Sequence, residues 1–249
     1  MFPDGMFLRI SYRIIKRSER MKRVIEFFAE NKKLTAILFA FLFIGALLSG
    51  AYFYFSENGG IHLIPQKVSV VIDPGHGGKD MGASNNGRNE KDDNLRLALK
   101  VIECLEEKGI DCASTRTLDV YLSLENRCRF ANIRSADLFV ALHRNSAASE
   151  ADGVEIWIES KNNSADRRLA QSILDRLEKV GISENRGVKA GYAGEGNDYY
   201  VNKNTKMTSC LVELGFINSE ADNRLYDKKL DEYAQAIADA IEAQLNNKK

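Results

Sequence analysis

Between residues 67 and 245 short apolar runs alternate with longer amphipathic stretches, and few folds accommodate that order. Strands and helices taken in turn predict an α/β domain. Its sheet is mainly parallel and twisted, with about six strands and helices on both faces. The predicted strands are 67–73, 110–115, 137–142, 153–159, 198–202 and 209–214. Helices are predicted over 92–108, 123–135, 165–180 and 230–245. The first carries Leu95, Leu99, Ile102 and Leu105 on one face and stops at Gly109. Segment 153–159 alternates Val154, Ile156 and Ile158 with Glu155, Trp157 and Glu159, the pattern of a half-exposed edge strand.

Ahead of this domain, residues 34–55 run for 22 positions without a charge. That length crosses a hydrocarbon core of ~30 Å and exceeds the apolar core of a cleaved signal peptide. Residues 1–33 hold nine Lys or Arg against four acids, and Lys32 and Lys33 border the run. Tyr52, Phe53, Tyr54 and Phe55 stand at its far end. This asymmetry predicts a basic cytoplasmic tail (1–33), a transmembrane signal anchor (34–55), a linker (56–66) and an extracytoplasmic domain (67–249). The domain has 26 basic and 30 acidic residues, which argues against a nucleic-acid partner. Cys104, Cys112, Cys128 and Cys210 show no metal-binding spacing and read as small buried thiols.

The candidate site lies at strand ends. Val70, Val71 and Ile72 form a β-branched run that Asp73-Pro74-Gly75 breaks, leaving His76 among Gly75, Gly77 and Gly78. His143 ends the apolar run 139–142. These are the two histidines after residue 66, and both fall where open α/β sheets build sites. Neutral imidazole is the commonest metal ligand. Glu90 precedes the predicted helix. On spacing alone it serves the helix dipole or returns toward His76. Glu213 interrupts the apolar run 210–216, where a buried carboxylate requires an ion pair or a chemical task.

At this point the motifs converge on one resemblance. Segments 72–83 (IDPGHGGKDMGA), 89–95, 114–116 (STR), 124–132 (LENRCRFAN), 136–146, 199–207 and 211–222 (LVELGFINSEAD) resemble, in order, the zinc-dependent N-acetylmuramoyl-L-alanine amidases of the amidase_3 type. The resemblance implies Zn²⁺ held by His76, Glu90 and His143, with Glu213 as the catalytic acid/base. The implied substrate is peptidoglycan, cut between N-acetylmuramic acid and L-alanine of the stem peptide. In that mechanism Asn145 assists the oxyanion. Asp73 orients a ligand histidine or closes its turn. Arg144 stands where many relatives have a small residue, a departure expected to bear on the cleft. No long helical insertion lies between Gly153 and Glu213, which argues against control by a displaced helix. No motif names an activating protein partner. A zinc peptidase, a polysaccharide deacetylase and a metal-free wall-binding module are the competing readings.

Overall fold

The computed structural model describes residues 22, 26–33, 35–37, 40–46, 66–193 and 198–247. Residues 1–64 and 65–249 form separate compact units. In the first, residues 26–30 and 40–46 are helical, and Phe41, Leu42 and Phe43 are exposed. Among the described residues no helix is long and apolar enough to cross a membrane. Residues 34, 38–39 and 47–55 of the predicted anchor lie outside the described residues, as do 56–65 of the predicted linker.

The second unit runs β1 (Val70–Pro74), β2 (Ser84–Asn85), β3 (Arg88–Asn89), α1 (Glu90–Glu107), β4 (Cys112–Ser114), α2 (Leu124–Ile133), β5 (Leu138–Asn145) and β6 (Val154–Ile158). It continues with α3 (Ser164–Val180), β7 (Asn185–Ala190), α4 (Tyr200–Asn204), β8 (Thr208–Phe216), α5 (Glu220–Lys228) and α6 (Leu230–Asn246). Six strands form one sheet in the order β4-β1-β5-β8-β6-β7. All neighbours are parallel except β6 and β8. β2 and β3 form a separate antiparallel hairpin.

Strand residues alternate between two faces. Val70, Ile72, Leu138, Val140, Ile156 and Val212 share a core with Leu97, Leu169 and Ile237 of α1, α3 and α6. Val71, Phe139, Ala141, Trp157 and Leu211 share the other with Cys128 and Ala131 of α2 and Val201 of α4. Apolar strands covered on both sides are what a parallel sheet requires.

Three expectations need correction. Segment 198–202 is not a strand: Tyr199 precedes the short helix α4, whose Val201 packs under the sheet. The edge strand is β7, which the reading missed because NRGVKA lacks an apolar alternation. β6 is interior and buried along its whole length. Its Glu155 and Trp157 point inward, where Lys189 and Arg186 pair with the carboxylate. The inner face of α1 also differs. It buries Leu97, Ala98, Val101 and Leu105, whereas Leu99 is 42% exposed. Extended toward the helix N-terminus, that face carries Glu90, Asp93 and Asn94. The buried polar residues there hid the true stripe.

Candidate metal centre and cleft

The parallel register sets His143 of β5 opposite Glu213 of β8, and the antiparallel register sets Glu213 opposite Glu155 of β6. Gly75 follows β1 beside them, its N–H donating to Leu142 O at 3.0 Å. Directly paired residues on neighbouring strands present side chains to one face. A row of Gly75, His143, Glu213 and Glu155 therefore crosses the carboxyl end of the sheet. Gly75 belongs there for steric reasons. A Cβ at that position would lie 2.1 Å from His143 Cε1.

His76 sits on the turn after β1 with φ +60°, a conformation that non-glycine residues adopt at a cost of about 1–3 kcal/mol. A bridge from Gly77 N–H to Asp80 O (2.8 Å) and back from Asp80 N–H (3.1 Å) fixes the turn. Glu90 begins α1 and is 4% exposed. Its Oε1 lies 2.8 Å from His143 Nδ1 and 3.2 Å from His76 Nε2. Ala83 N–H donates to Glu90 Oε2 (2.9 Å), and Arg144 N–H and the Asn94 amide donate to Oε1 (3.2 and 3.3 Å). The hairpin β2–β3 brings this carboxylate back to the imidazoles, so of its two sequence readings the structure shows the second.

These three residues fit a metal ion. Their ligand atoms lie within 4.8 Å of one another. Ligands at zinc bond lengths in a tetrahedron stand roughly 3.3–3.5 Å apart, between the 2.8 Å of the Glu90–His143 pair and that upper bound. Space is reserved for the cluster by Gly82, where a Cβ would fall 2.5 Å from Glu90 Oε2 and 2.6 Å from His76 Cδ2. Two imidazoles and one carboxylate leave a fourth position for water or substrate.

The electrostatics divide the carboxylates. Burial raises the Glu90 carboxyl, but hydrogen bonds and charge from His143 and His76 outweigh it and hold it well below the usual range. Burial lowers His76, but Glu90 and Asp80 prevail and raise it. Glu213 shows the opposite balance. Burial, then the charges of Glu90 and Glu155, push it well above the usual carboxylate value, and its Oε2 has no hydrogen-bond partner. Burial also raises Glu155, yet Lys189 (2.6 Å), Arg186 (2.9 Å) and the Trp157 indole N–H (2.9 Å) reverse it and lower it. Adjacent carboxyls driven apart in this way are what acid–base chemistry requires.

His76, Glu90, His143 and Glu213 line a cleft of about 550 Å³ together with Tyr121, Leu124, Tyr192, Tyr199 and Tyr200. Asp73 does not reach an imidazole. It accepts from Arg127 Nη1 (2.7 Å) and Thr115 Oγ1, and so closes the turn. Asp80, which the sequence reading passed over, stands 3.0 Å from His76 Nδ1. Its place four residues after the histidine is the signal that could have found it. Asn145 donates its amide to Glu155 Oε1 (3.0 Å), which engages the group expected to assist an oxyanion. Arg144 turns to the other face. There it donates to Asp93, Asn223 and two carbonyls, so its side chain leaves the cleft unaltered.

Comparison with known proteins bears on the family. The family model Amidase_3, N-acetylmuramoyl-L-alanine amidase, matches residues 70–243. The uncharacterized protein YqiI of Bacillus subtilis is 40% identical over 174 residues, 70% of this chain and 81% of that one. LytH of Staphylococcus aureus, described as a probable cell wall amidase, is 34% identical over 182 residues, and the match covers 71% of this chain but only 58% of LytH. The crystal structure of an N-acetylmuramoyl-L-alanine amidase from Clostridium difficile 630 superposes with a TM-score of 0.67 at 31% identity, over 74% of this chain and 100% of that one. The chain belongs to the Amidase_3 family of N-acetylmuramoyl-L-alanine amidases.

Proposed function

We propose that this chain is a membrane-anchored, zinc-dependent peptidoglycan hydrolase that cleaves the amide between N-acetylmuramic acid and L-alanine of the stem peptide. The observation that carries the reading is Glu213, a buried carboxyl with an unpartnered oxygen lining the same cleft as His76, Glu90 and His143. Zinc bound by those three residues supplies a Lewis acid for the carbonyl and lowers the pKa of water. Glu213 accepts the proton of the attacking water and delivers it to the departing amine nitrogen. Burial and the charge of Glu90, together with Glu155 held as an anion by Lys189 and Arg186, favour the proton on Glu213. Asp80 orients the His76 imidazole.

The uncharged run 34–55 behind nine basic residues supports the anchor, as does exposure of Phe41, Leu42 and Phe43 at 70%, 69% and 66%. It places the domain outside the cytoplasmic membrane, near its substrate.

A defined muramyl peptide tests the chemistry. Incubated with zinc-loaded protein, it is expected to release an intact peptide with L-alanine at its amino end, identified by mass spectrometry. Cleavage within the peptide would make the enzyme a peptidase, and release of acetate a deacetylase.

A further inference from the structure

Two motifs, 114–116 and 124–132, contribute nothing to the four-residue site, yet each sends an arginine to it. Arg116 and Arg127 are 3% and 2% exposed. Arg116 Nε donates to Pro74 O at 3.0 Å, and its Nη2 donates to Gly75 O at 2.9 Å and Lys91 O at 2.8 Å. Nη1 reaches Leu118 O at 3.2 Å. Arg127 Nη1 donates to Asp73 Oδ1 (2.7 Å) and Pro74 O (2.8 Å), its Nη2 to His76 O (2.7 Å) and its Nε to Leu122 O (3.2 Å). Together the two guanidiniums take the carbonyls of Pro74, Gly75 and His76, three consecutive residues of the turn.

We propose that Arg116 and Arg127 are positioning residues that hold the His76 turn in its metal-binding shape. A buried cation whose hydrogen bonds all end on carbonyls, as those of Arg116 do, gains little as an ion pair. The planar fork explains the choice of residue, because it bonds several carbonyls at fixed angles where an ammonium on a flexible stem does not. The turn requires such a device. His76 holds φ +60°, and a strained residue persists only where its surroundings overdetermine it. The clamp also joins distant segments. Arg116 links the turn to Lys91 at the start of α1, one residue from Glu90, and Arg127 links it to α2. One guanidinium thus holds the neighbours of two of the three metal-binding residues, Gly75 beside His76 and Lys91 beside Glu90.

The proposal rests on the metal-site reading, and zinc affinity of the purified full chain tests it. Competition against a chromophoric chelator is to be measured for wild type, R116K and R127K, each alone and with His76→Ala. Each lysine variant is expected to weaken zinc binding at least ~10-fold, the scale of lost supporting contacts around a metal ligand. In the His76→Ala background R127K is expected to have almost no further effect, because it acts through that residue, and R116K a diminished one that remains through Lys91 beside Glu90. Wild-type affinity in both variants, or an undiminished loss in the His76→Ala background, would overturn the clamp. A wild type that binds no zinc would instead defeat the metal-site reading itself. If R116K and R127K fail to fold, Asp73→Asn takes their place, since it removes only the charge that holds Arg127. Weaker zinc binding is expected there too, and unchanged affinity overturns the proposal.

Discussion

A single methyl group at position 75 tests how tightly the site is built. The added Cβ would stand 2.1 Å from His143 Cε1 and 2.3 Å from its Nε2, so the imidazole must swing away. Gly75→Ala is expected to weaken zinc binding at least ~10-fold in a chelator competition, since ring orientation governs metal affinity. At Glu213 the prediction separates chemistry from binding. Glu213→Gln is expected to lower kcat by ~10²–10⁴, the range for loss of a general acid–base group, while zinc content stays at the wild-type level. The same variant carries a pH signature in the metal-free protein. Glu213 has a folded pKa above its ordinary value of 4.5, so the folded state binds more protons there than the unfolded state. Its contribution to stability is therefore present below about 4.5 and is lost as pH rises toward the folded value. Thermal melting of Glu213→Gln is expected to exceed wild type by a margin that grows from pH 4.5 upward. Glu90, held below its ordinary value, contributes in the opposite sense: its stabilisation is present above 4.5 and lost as pH falls below it.

Among elements, β5 separates two tasks by alternation. His143 faces the cleft, and Arg144, next in sequence, faces α1 and α5. There its guanidinium meets Asp93 (2.6 Å), Asn223 (2.7 Å) and the face of Tyr226. Arg144→Ala leaves Asp93 to Arg88 and Arg96, and chemical denaturation is expected to show a loss of about 1–3 kcal/mol. The same alternation explains what could be read from the chain. β1, β5 and β8 are legible because each carries an apolar run, 70–72, 138–142 and 210–212, that is covered on both faces. His76 and His143 are legible because each stands just past such a run, and Glu213 because it interrupts one. β6 misled because Glu155 mimics a solvent-facing position, and its partners Arg186 and Lys189 lie about 30 residues away on a strand with no apolar signal. Asp80, Arg116 and Arg127 were missed for a related reason. A residue that supports a turn shows its purpose only through contacts across the fold.

For the whole molecule, the charge-free run and the catalytic unit are separable in sequence. Residues 65–249 carry their own two-sided core. The full chain is expected to remain with membranes after an alkaline carbonate wash, and a chain lacking residues 1–64 is expected to be released into solution with its hydrolytic activity intact. Recovery of the full chain in the wash would contradict the anchor and leave the site untouched.

The most direct test of the central claim is the product spectrum from purified peptidoglycan, taken by mass spectrometry with the protein before and after chelation and after zinc is restored. We expect intact stem peptides with a free L-alanine amino group and glycan strands of undiminished length, with peptide release lost on chelation and recovered with zinc. Product that persists after complete metal removal, or fragments cut within the stem or the glycan, would contradict the assignment of His76, Glu90, His143 and Glu213 to an amidase site.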